Sequence, residues 1–422
     1  MTTFTRHEHT GWAMPEKRTY FIVDDDRVFI KLLTRYLASD LVTIASSTTS
    51  SDAFQEIKHL KPDCLILDIM MPDVDGLELC KQVRAEPALD NTKIVVVSGK
   101  AYEIDRKRAF DIGADGYIVK PVTPDKIAGQ IQRIVEDRVE MTFWGVRGTL
   151  PVPGQNTIRY GGNTSCISLE FPKGSLFIFD AGTGIKALSD HLETQNRSQI
   201  EAKIFISHPH WDHINALPFF TPLYKQGNEF EIMGPAHGDI SIRELISGQM
   251  DGVYFPIEIK EFGATVSFQN LKEGLVSIDG IKVQTILLNH PGHCLGYRID
   301  YKDRSICYIT DNELFPKSSR FYNGAYIKKL TAFIRNTDAL IADCTYSEDE
   351  YAQKIRWGHS SITEVVHLAH RAGVGTLYMF HHDPGQTDAA IDTKNDRAQA
   401  LLNELNSSTR CVTPMEKQQF MV

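Results

Sequence analysis

The sequence predicts an α/β protein of two domains, the first a doubly wound parallel sheet and the second richer in strands. Two observations carry this reading. From Tyr20 to about Val139, short apolar runs alternate with segments of helical period. After about Met141 the rhythm changes, and glycine-rich turns such as GVRGT, YGGNTS and DAGTG separate clustered strand-like runs. Regular strand–helix alternation builds a parallel sheet with helices on both faces.

Within the first segment, YFIV, LVTIA, CLILD, IVVVS and GYIV read as strands, because parallel strands covered on both sides are continuously apolar. Between them, VFIKLLTRYL and GLELCKQVR have the spacing of amphipathic helices. The last helix is expected to start with Thr123 as N-cap and Pro124 at its first position, with Ile127, Ile131, Ile134 and Val135 on its apolar face. No Gly/Ser- or Pro-rich linker follows, so this helix feeds almost directly into MTFWGV and the joint reads as stiff. The expected division is a disordered tail over 1–17, a first domain over 18–139 and a second over 141–422.

Composition sets limits on function. Of 422 residues, 42% are hydrophobic and 23% charged, an ordinary globular balance with enough chain for separate cores. The formal net charge is −9 and no Lys/Arg-rich block occurs, which argues against loose binding to nucleic acid, where affinity comes from neutralising phosphates. No apolar stretch approaches the roughly 20 residues that cross a bilayer, and the first residues lack the apolar core of a secretory signal. Seven cysteines without a CxxC pair fit free thiols in a reducing compartment. A cytoplasmic protein without a membrane partner is expected.

Functional groups of an open parallel sheet gather at the carboxyl ends of its strands. There the sequence places Asp24 and Asp25 after FIV, Asp68 after LIL, Ser98 after VVV and Lys120 after GYIV. Converging carboxylates repel one another and call for a hard cation such as Mg²⁺. An Asp so neutralised is a plausible nucleophile toward a phosphoryl group, with Lys120 pairing with the added phosphate and the Ser98 hydroxyl bonding it. VDDD, LILDIMMPDVDG, VVVSG and GYIVKP, in this order, resemble the receiver domain of two-component response regulators over about Arg18–Val139. The resemblance implies a flavodoxin-like (βα)5 fold, Asp68 as phosphoacceptor, and Asp24 and Asp25 with Asp68 as magnesium ligands. It also implies Tyr117 as the aromatic switch residue and a sensor histidine kinase as partner. Ser98 stands where many receivers carry Thr, and the hydroxyl is kept.

In the second domain SHPHWDH follows the apolar run KIFI. Imidazole and carboxylate suit zinc and similar transition metals. His208 and His210, two apart, can point the same way from extended backbone, while Asp212 and His213 follow a turn and can serve a second ion. Further ligands must come from distant segments: His290 in LLNHPGH, Asp311 in CYITDNE, and His381 or His382 in LYMFHHDP, each after a strand-like run. A carboxylate between two cations lowers their repulsion, and Asp311 is the natural bridge.

Together with FWGVRGT, RYGGNTSC, DAGTG, LPFF, NHPGHCLGYRI, WGHSS and FHHDP, this loop resembles the metallo-β-lactamase superfamily over Thr142 to about Asp388. The resemblance implies an αββα sandwich. It implies one metal held by His208, His210 and His290, a second by Asp212, His213 and a terminal-strand histidine, and Asp311 bridging. His381 fits the family's offset better than His382. His359 in GHSS resembles the histidine that protonates the leaving group in RNase Z-type phosphodiesterases, which makes Asp212 and His359 the expected catalytic pair. Asp180, Asn163 and Asp343 are expected around the ligands, and His293 as pocket wall or substrate contact. His367 and His370 are expected on a solvated helix face behind a capping box of Ser361 and Glu364.

Two transition metals, zinc foremost with manganese or iron as alternatives, activate water and stabilise developing charge. The bridging Asp resembles the phosphodiesterase and lactonase branches rather than the zinc β-lactamases. The leading expectation is therefore a receiver-regulated phosphodiesterase acting on a small nucleotide or cyclic phosphate, working as a homodimer and without a dedicated DNA-binding domain. An RNase Z-like nuclease and a non-hydrolytic di-iron sensor of oxygen or redox state are the alternatives. The first lacks an obvious basic arm, and His210 stands where diiron relatives often carry Glu.

Overall fold

A computed structural model describes residues 17–422, apart from 73, 74, 101, 122, 196, 198 and 254. Residues 1–16 of the expected tail, with His7 and His9, lie outside the described residues. The chain divides into two compact units, with the boundary between Asp137 and Arg138.

The first unit runs β1 (Arg18–Val23), α1 (Arg27–Leu37), β2 (Val42–Ser47), α2 (Ser50–Leu60), β3 (Cys64–Leu67), α3 (Gly76–Ala85), β4 (Lys93–Ser98), α4 (Glu103–Ile112), β5 (Gly116–Val119) and α5 (Pro124–Val135). The sheet order is β2-β1-β3-β4-β5 and every pairing is parallel. Alternate residues of one strand feed opposite faces. Leu65 and Leu67 pack with Ile57, Leu79 and Val83 on one side, and Ile66 with Leu33, Ile127 and Ile131 on the other. Burial on both faces is why these strands read as unbroken apolar runs. Thr123 does occupy the N-cap of α5, without a side-chain bond to the helix.

The second unit contributes β6 (Glu140–Gly145), β7 (Cys166–Glu170), β8 (Leu176–Phe179), α6 (Gly184–Thr194), β9 (Glu201–Phe205), α7 (Trp211–Ile214), β10 (Glu229–Pro235), α8 (Ile242–Gly248), β11 (Thr265–Leu271) and β12 (Gly274–Ile278). It continues with β13 (Ile281–Leu287), β14 (Leu295–Tyr301), β15 (Arg304–Ile309), α9 (Gly324–Phe333), β16 (Ala339–Asp343), α10 (Glu348–Gln353), α11 (Ile362–Ala372), β17 (Thr376–Phe380), α12 (Asp388–Glu404), β18 (Arg410–Val412) and β19 (Gln419–Met421). Two seven-stranded sheets result, β11-β10-β9-β8-β7-β6-β19 and β12-β13-β14-β15-β16-β17-β18.

An aromatic-rich core joins their inner faces, where Phe143, Phe177, Phe179 and Phe205 meet Tyr297, Tyr308, Tyr378 and Phe380. Outside the first sheet, Ile178 and Ile204 pack on Ile185 and Leu188 of α6 and Ile246 of α8. Outside the second, Leu340 and Leu377 pack on Leu330 of α9, Val366 of α11 and Leu401 of α12. The layers are thus αββα. All seven cysteines are buried and unpaired. Among the described residues no helix is long and apolar enough to cross a membrane.

The capping box expected on α11 is absent. Ser361 is the N-cap residue but gives the helix no side-chain bond. Its backbone is instead bridged to Tyr346, and Glu364 is half-buried beside His367 and Arg371.

Candidate functional sites

At the carboxyl end of the first sheet, Asp24, Asp25 and Asp68 present oxygens within 4.8 Å of one another. Asp24 and Asp68 are buried and Asp25 is exposed. Lys120 at the end of β5 lies 2.7 Å from each buried carboxylate. Burial works against the Lys120 ammonium, yet its bonds to Asp24 and Asp68 hold its pKa above the usual lysine value. Burial also raises the Asp24 carboxyl, with Lys120 opposing.

The Met70 amide donates to Asp68 Oδ1 at 2.8 Å, which fixes the carboxylate's rotamer. A Cβ on Gly76 would lie 2.3 Å from the Asp68 carbonyl oxygen, so only glycine lets α3 start this close. Ser98 is fully buried at the end of β4, and the Tyr117 hydroxyl donates to the Lys100 carbonyl at 2.9 Å. The strand ends therefore bring together the acids, the hydroxyl and the lysine singled out in the sequence, with Tyr117 beside them.

The second unit gathers its histidines where strand ends of both sheets meet. The loop after β9 supplies His208 and His210, and α7 supplies Asp212 and His213. His290 follows β13, Asp311 follows β15 and His381 follows β17. Two four-residue sets form: His208, His210, His290 and Asp311, and Asp212, His213, Asp311 and His381. Asp311 belongs to both. Its Oδ2 lies 3.5 Å from His208 Nε2 and 3.6 Å from His290 Nε2, while its Oδ1 lies 3.1 Å from His213 Nε2 and 3.0 Å from His381 Nε2. Asp212 Oδ2 completes the second set, 3.2 Å from His213 Nε2 and 3.1 Å from His381 Nε2.

These separations suit cations. Two donor atoms about 2.1 Å from one tetrahedral ion lie about 3.4 Å apart. His208 Nε2 is buried without a hydrogen-bond partner, as a metal-facing lone pair would be. His290 Nε2 faces His210 Nδ1 at 3.1 Å.

The opposite ring nitrogens are tied down, which fixes the tautomers. His213 Nδ1 donates to Asp180 Oδ2 at 2.7 Å, and His290 Nδ1 donates to the Gly358 carbonyl at 2.9 Å. His208 Nδ1 lies 3.0 Å from Ser207 Oγ, which itself donates to Asp180 Oδ2. His381 Nδ1 lies 3.1 Å from Thr345 Oγ1, whose partner is Asp343. Asp212 Oδ2 accepts the Thr149 amide at 2.6 Å.

Asp180 and His381 hold φ of +59° and +61° respectively, uncommon for residues with a side chain and typical of functional sites. Gly148 lies flush against the His381 ring, where a Cβ would come within 2.1 Å.

Electrostatics divide the histidines. Burial and neighbouring imidazoles hold His208 well below the ordinary histidine range, and burial with His290 lowers His210. His290 is also lowered, mainly by burial. Around His213, burial is outweighed by Asp212, Asp311 and Asp180, and its pKa rises.

His359 is in neither four-residue set, but it forms a third group of possible ligands with Asp343 and His381. Its Nδ1 donates to Asp343 Oδ2 at 2.9 Å and its ring stacks on His381 at 4.9 Å. Burial opposes its charge, but Asp343 carries the imidazole up to about 9.

Three expected residues belong to neither histidine set. His382 is fully buried on another side of the β17 terminus, bridged to Arg147, and belongs to neither set. Asn163 is held by Glu416, its Nδ2 donating to Oε2 at 2.8 Å and its amide to Oε1 at 2.6 Å, while its backbone carbonyl accepts the Val146 and Arg147 amides. His293 is exposed, with Nδ1 3.1 Å from the Ala236 carbonyl and its ring 6.0 Å from His237. On α11, His370 is exposed whereas His367 is half-buried.

Ser207, Thr149, Thr345, Tyr308 and Gly358 were not singled out by sequence reasoning. They act through backbone groups or hydroxyls, which carry no spacing pattern, although GVRGT and WGHSS mark two of the segments.

The family model described as "Response regulator receiver domain" matches residues 20–132, and that described as "Beta-lactamase superfamily domain" matches residues 176–382. The chain joins a receiver domain to a domain of the metallo-β-lactamase fold. Over the receiver it is similar to ResD of Bacillus subtilis, named a transcriptional regulatory protein, with 29% identity across 29% of this chain and 50% of that one. It is 32% identical to the response regulator MprA of Mycobacterium ulcerans across 29% of this chain and 56% of that one. The chain spans about half the length of these curated relatives. Among solved structures, the metallo-β-lactamase fold protein YhfI from Bacillus subtilis is 16% identical, covers 68% of this chain and all of its own, and has a TM-score of 0.49. The receiver domain implies a phosphodonor such as a histidine kinase, and the second fold implies divalent metal ions.

Proposed function

We propose that the second domain is a two-metal phosphodiesterase whose turnover responds to phosphorylation of Asp68. One observation carries the two-metal reading: Asp311 turns one carboxylate oxygen to each histidine set. His208, His210 and His290 would hold one ion, Asp212, His213 and His381 the other, and Asp311 would bridge them. All-imidazole and carboxylate donors suit zinc, with manganese or iron as alternatives. When bound, such a pair activates water near neutral pH and neutralises charge on a phosphoryl oxygen.

The remaining steps belong to the chain's own groups. Asp180, Thr345 and the Gly358 carbonyl keep the Nε2 atoms of His213, His381 and His290 turned inward. Because Asp343 holds His359 at Nδ1, the free Nε2 can carry a proton to a departing alkoxide, and the high pKa keeps that proton in place at neutral pH. Such a general acid suits phosphodiesters whose alkoxide leaving group departs poorly without a proton.

The test is hydrolysis of bis-p-nitrophenyl phosphate. His208→Ala and Asp212→Ala should each abolish it, since they remove ligands from different sets. Undiminished turnover by both variants after metal depletion refutes the reading. In the receiver, Mg²⁺ held by Asp24, Asp25 and Asp68 would support phosphoryl transfer to Asp68. A coupling of about 1–3 kcal/mol changes an equilibrium about 5–150-fold. Wild type and Asp68→Asn, each with and without a small phosphodonor, should therefore differ in hydrolysis or in oligomeric mass. Labelling of Asp68 that changes neither quantity removes the regulatory part.

A further inference from the structure

Glu313 lies two residues beyond the shared ligand Asp311, is 3% exposed, and is a member of neither histidine set. A buried carboxylate is costly unless its oxygens are satisfied. Here Oε1 accepts the Arg356 amide at 2.7 Å and the Tyr351 hydroxyl at 3.0 Å, and Oε2 accepts the Gly358 amide at 2.9 Å. Two of the three donors are backbone groups of one short segment. That segment leads straight into His359.

Its geometry is not one the chain adopts freely. Arg356 has φ +71° and Gly358 φ +88°. A non-glycine residue in the left-handed region costs free energy and persists only where surroundings enforce it. The carboxylate of Glu313 supplies that enforcement through charge-assisted bonds on either side of Trp357. Gly358 in turn touches the centre twice. Its carbonyl accepts His290 Nδ1, and the space its Cβ would fill lies 2.4 Å from that same nitrogen. The next residue is His359 itself. The Glu313 backbone is also fastened to the residue before His290, its amide donating to the Asn289 carbonyl at 2.9 Å and its carbonyl accepting Asn289 Nδ2 at 2.7 Å.

We infer that Glu313 is a positioning residue that sets His290 and His359 relative to each other through the Arg356–Gly358 backbone. This rests on the phosphodiesterase reading for its kinetic consequence but not for its geometry. Glu313→Gln keeps the volume while setting an amide donor against at least one backbone N–H, so one of the two loop bonds must open.

The first measurement uses metal-free, ¹⁵N-histidine-labelled full-length protein. The Nδ1–H protons of His290 and His359 should be slow to exchange in wild type. They should exchange at least about 10-fold faster in Glu313→Gln, in line with loss of about one hydrogen bond, roughly 1.4 kcal/mol. Tyr351→Phe, which removes only the third bond, should leave them near wild type. The second measurement compares two phosphodiesters in the metal-loaded enzyme, one with a p-nitrophenolate leaving group and one with an alkoxide. Glu313→Gln should lower kcat at least about 10-fold more for the alkoxide, because only that departure needs the His359 proton.

Unchanged exchange at both histidines overturns the inference, and so does an equal loss of kcat on both substrates. If wild type cleaves neither substrate, the phosphodiesterase reading fails and the exchange data alone judge Glu313. Should Glu313→Gln fail to fold, Glu313→Asp, which keeps the charge but withdraws it by one methylene, is read by the same two measurements.

Discussion

Replacing Asp180 by Asn should weaken one metal position more than the other. The side chain is fully buried, and its Oδ2 accepts three bonds, from His213 Nδ1 at 2.7 Å, Tyr308 Oη at 2.7 Å and Ser207 Oγ at 2.8 Å, while Oδ1 accepts the Ser207 amide at 2.7 Å. Asn tolerates the +59° φ nearly as well as Asp, so the backbone contributes little to the effect, which Ala would not allow. An amide can keep its oxygen at only one of the two ends. It should keep the end with three donors and turn its NH₂ toward the Ser207 amide. The cost in stability is then the Ser207 amide left without its acceptor and an NH₂ facing it, about 1–3 kcal/mol for each buried donor left unsatisfied, and three bonds weakened by loss of charge.

For the metals the effect is asymmetric. His213 loses a carboxylate that raised its basicity and fixed its tautomer, a change worth about 10–100-fold in metal affinity, or about 1.4–2.7 kcal/mol. His208 is reached only through Ser207 Oγ and should lose less. The assay is competition with a chromophoric chelator, following both equivalents, with His290→Ala and His381→Ala assigning which equivalent belongs to which set. Equal weakening of both equivalents, or no weakening, refutes the argument. Ser207→Ala should shift the larger loss toward the His208 position.

Other expectations follow from the same geometry. His359→Ala should retain both metal equivalents yet lower kcat by about 10²–10⁴-fold on an alkoxide-leaving substrate; metal analysis showing one equivalent lost would make His359 a ligand. Gly76→Ala must displace either α3 or the Asp68 carbonyl, and should lower receiver stability by about 1–3 kcal/mol and slow labelling of Asp68 by a phosphodonor; unchanged melting and labelling would show that the helix start yields without cost. Lys394 is buried among the Cys344 and Thr345 carbonyls and Gln386 Oε1, and burial takes its pKa down to about 8. Between about pH 8 and 10.5 the unfolded chain then holds the proton that the folded one has released, so stability rises with pH across that window by at most about 3 kcal/mol. In urea unfolding Lys394→Met should flatten that rise, and an identical pH dependence in both proteins would show that Lys394 stays charged.

The limits of sequence reading are visible at the end of β17. The receiver strands and the placement of acids and histidines at strand ends were legible, because apolar period and strand-end position are local properties of the chain. The close loop His208–His213 was legible for the same reason. What could not be read is which way a residue faces once regular pairing stops. His381 and His382 are adjacent and chemically identical, and both are fully buried. β17 pairs with β16 only as far as Asp343 opposite Phe380. Beyond that point the +61° φ of His381 turns its ring toward Asp212 and Asp311, and Gly148 leaves it room. His382 instead faces the side of Arg147 and Tyr160, where burial and the nearby cations Lys394 and Arg147 keep it neutral. The choice is made by a backbone angle and by a glycine more than 200 residues upstream. Glu313 and Asn163 teach the same lesson, since their partners at 351–358 and at Glu416 are remote in the chain. Ligand types are written in the sequence at short range, whereas their orientation is written in contacts that exist only after both sheets have closed.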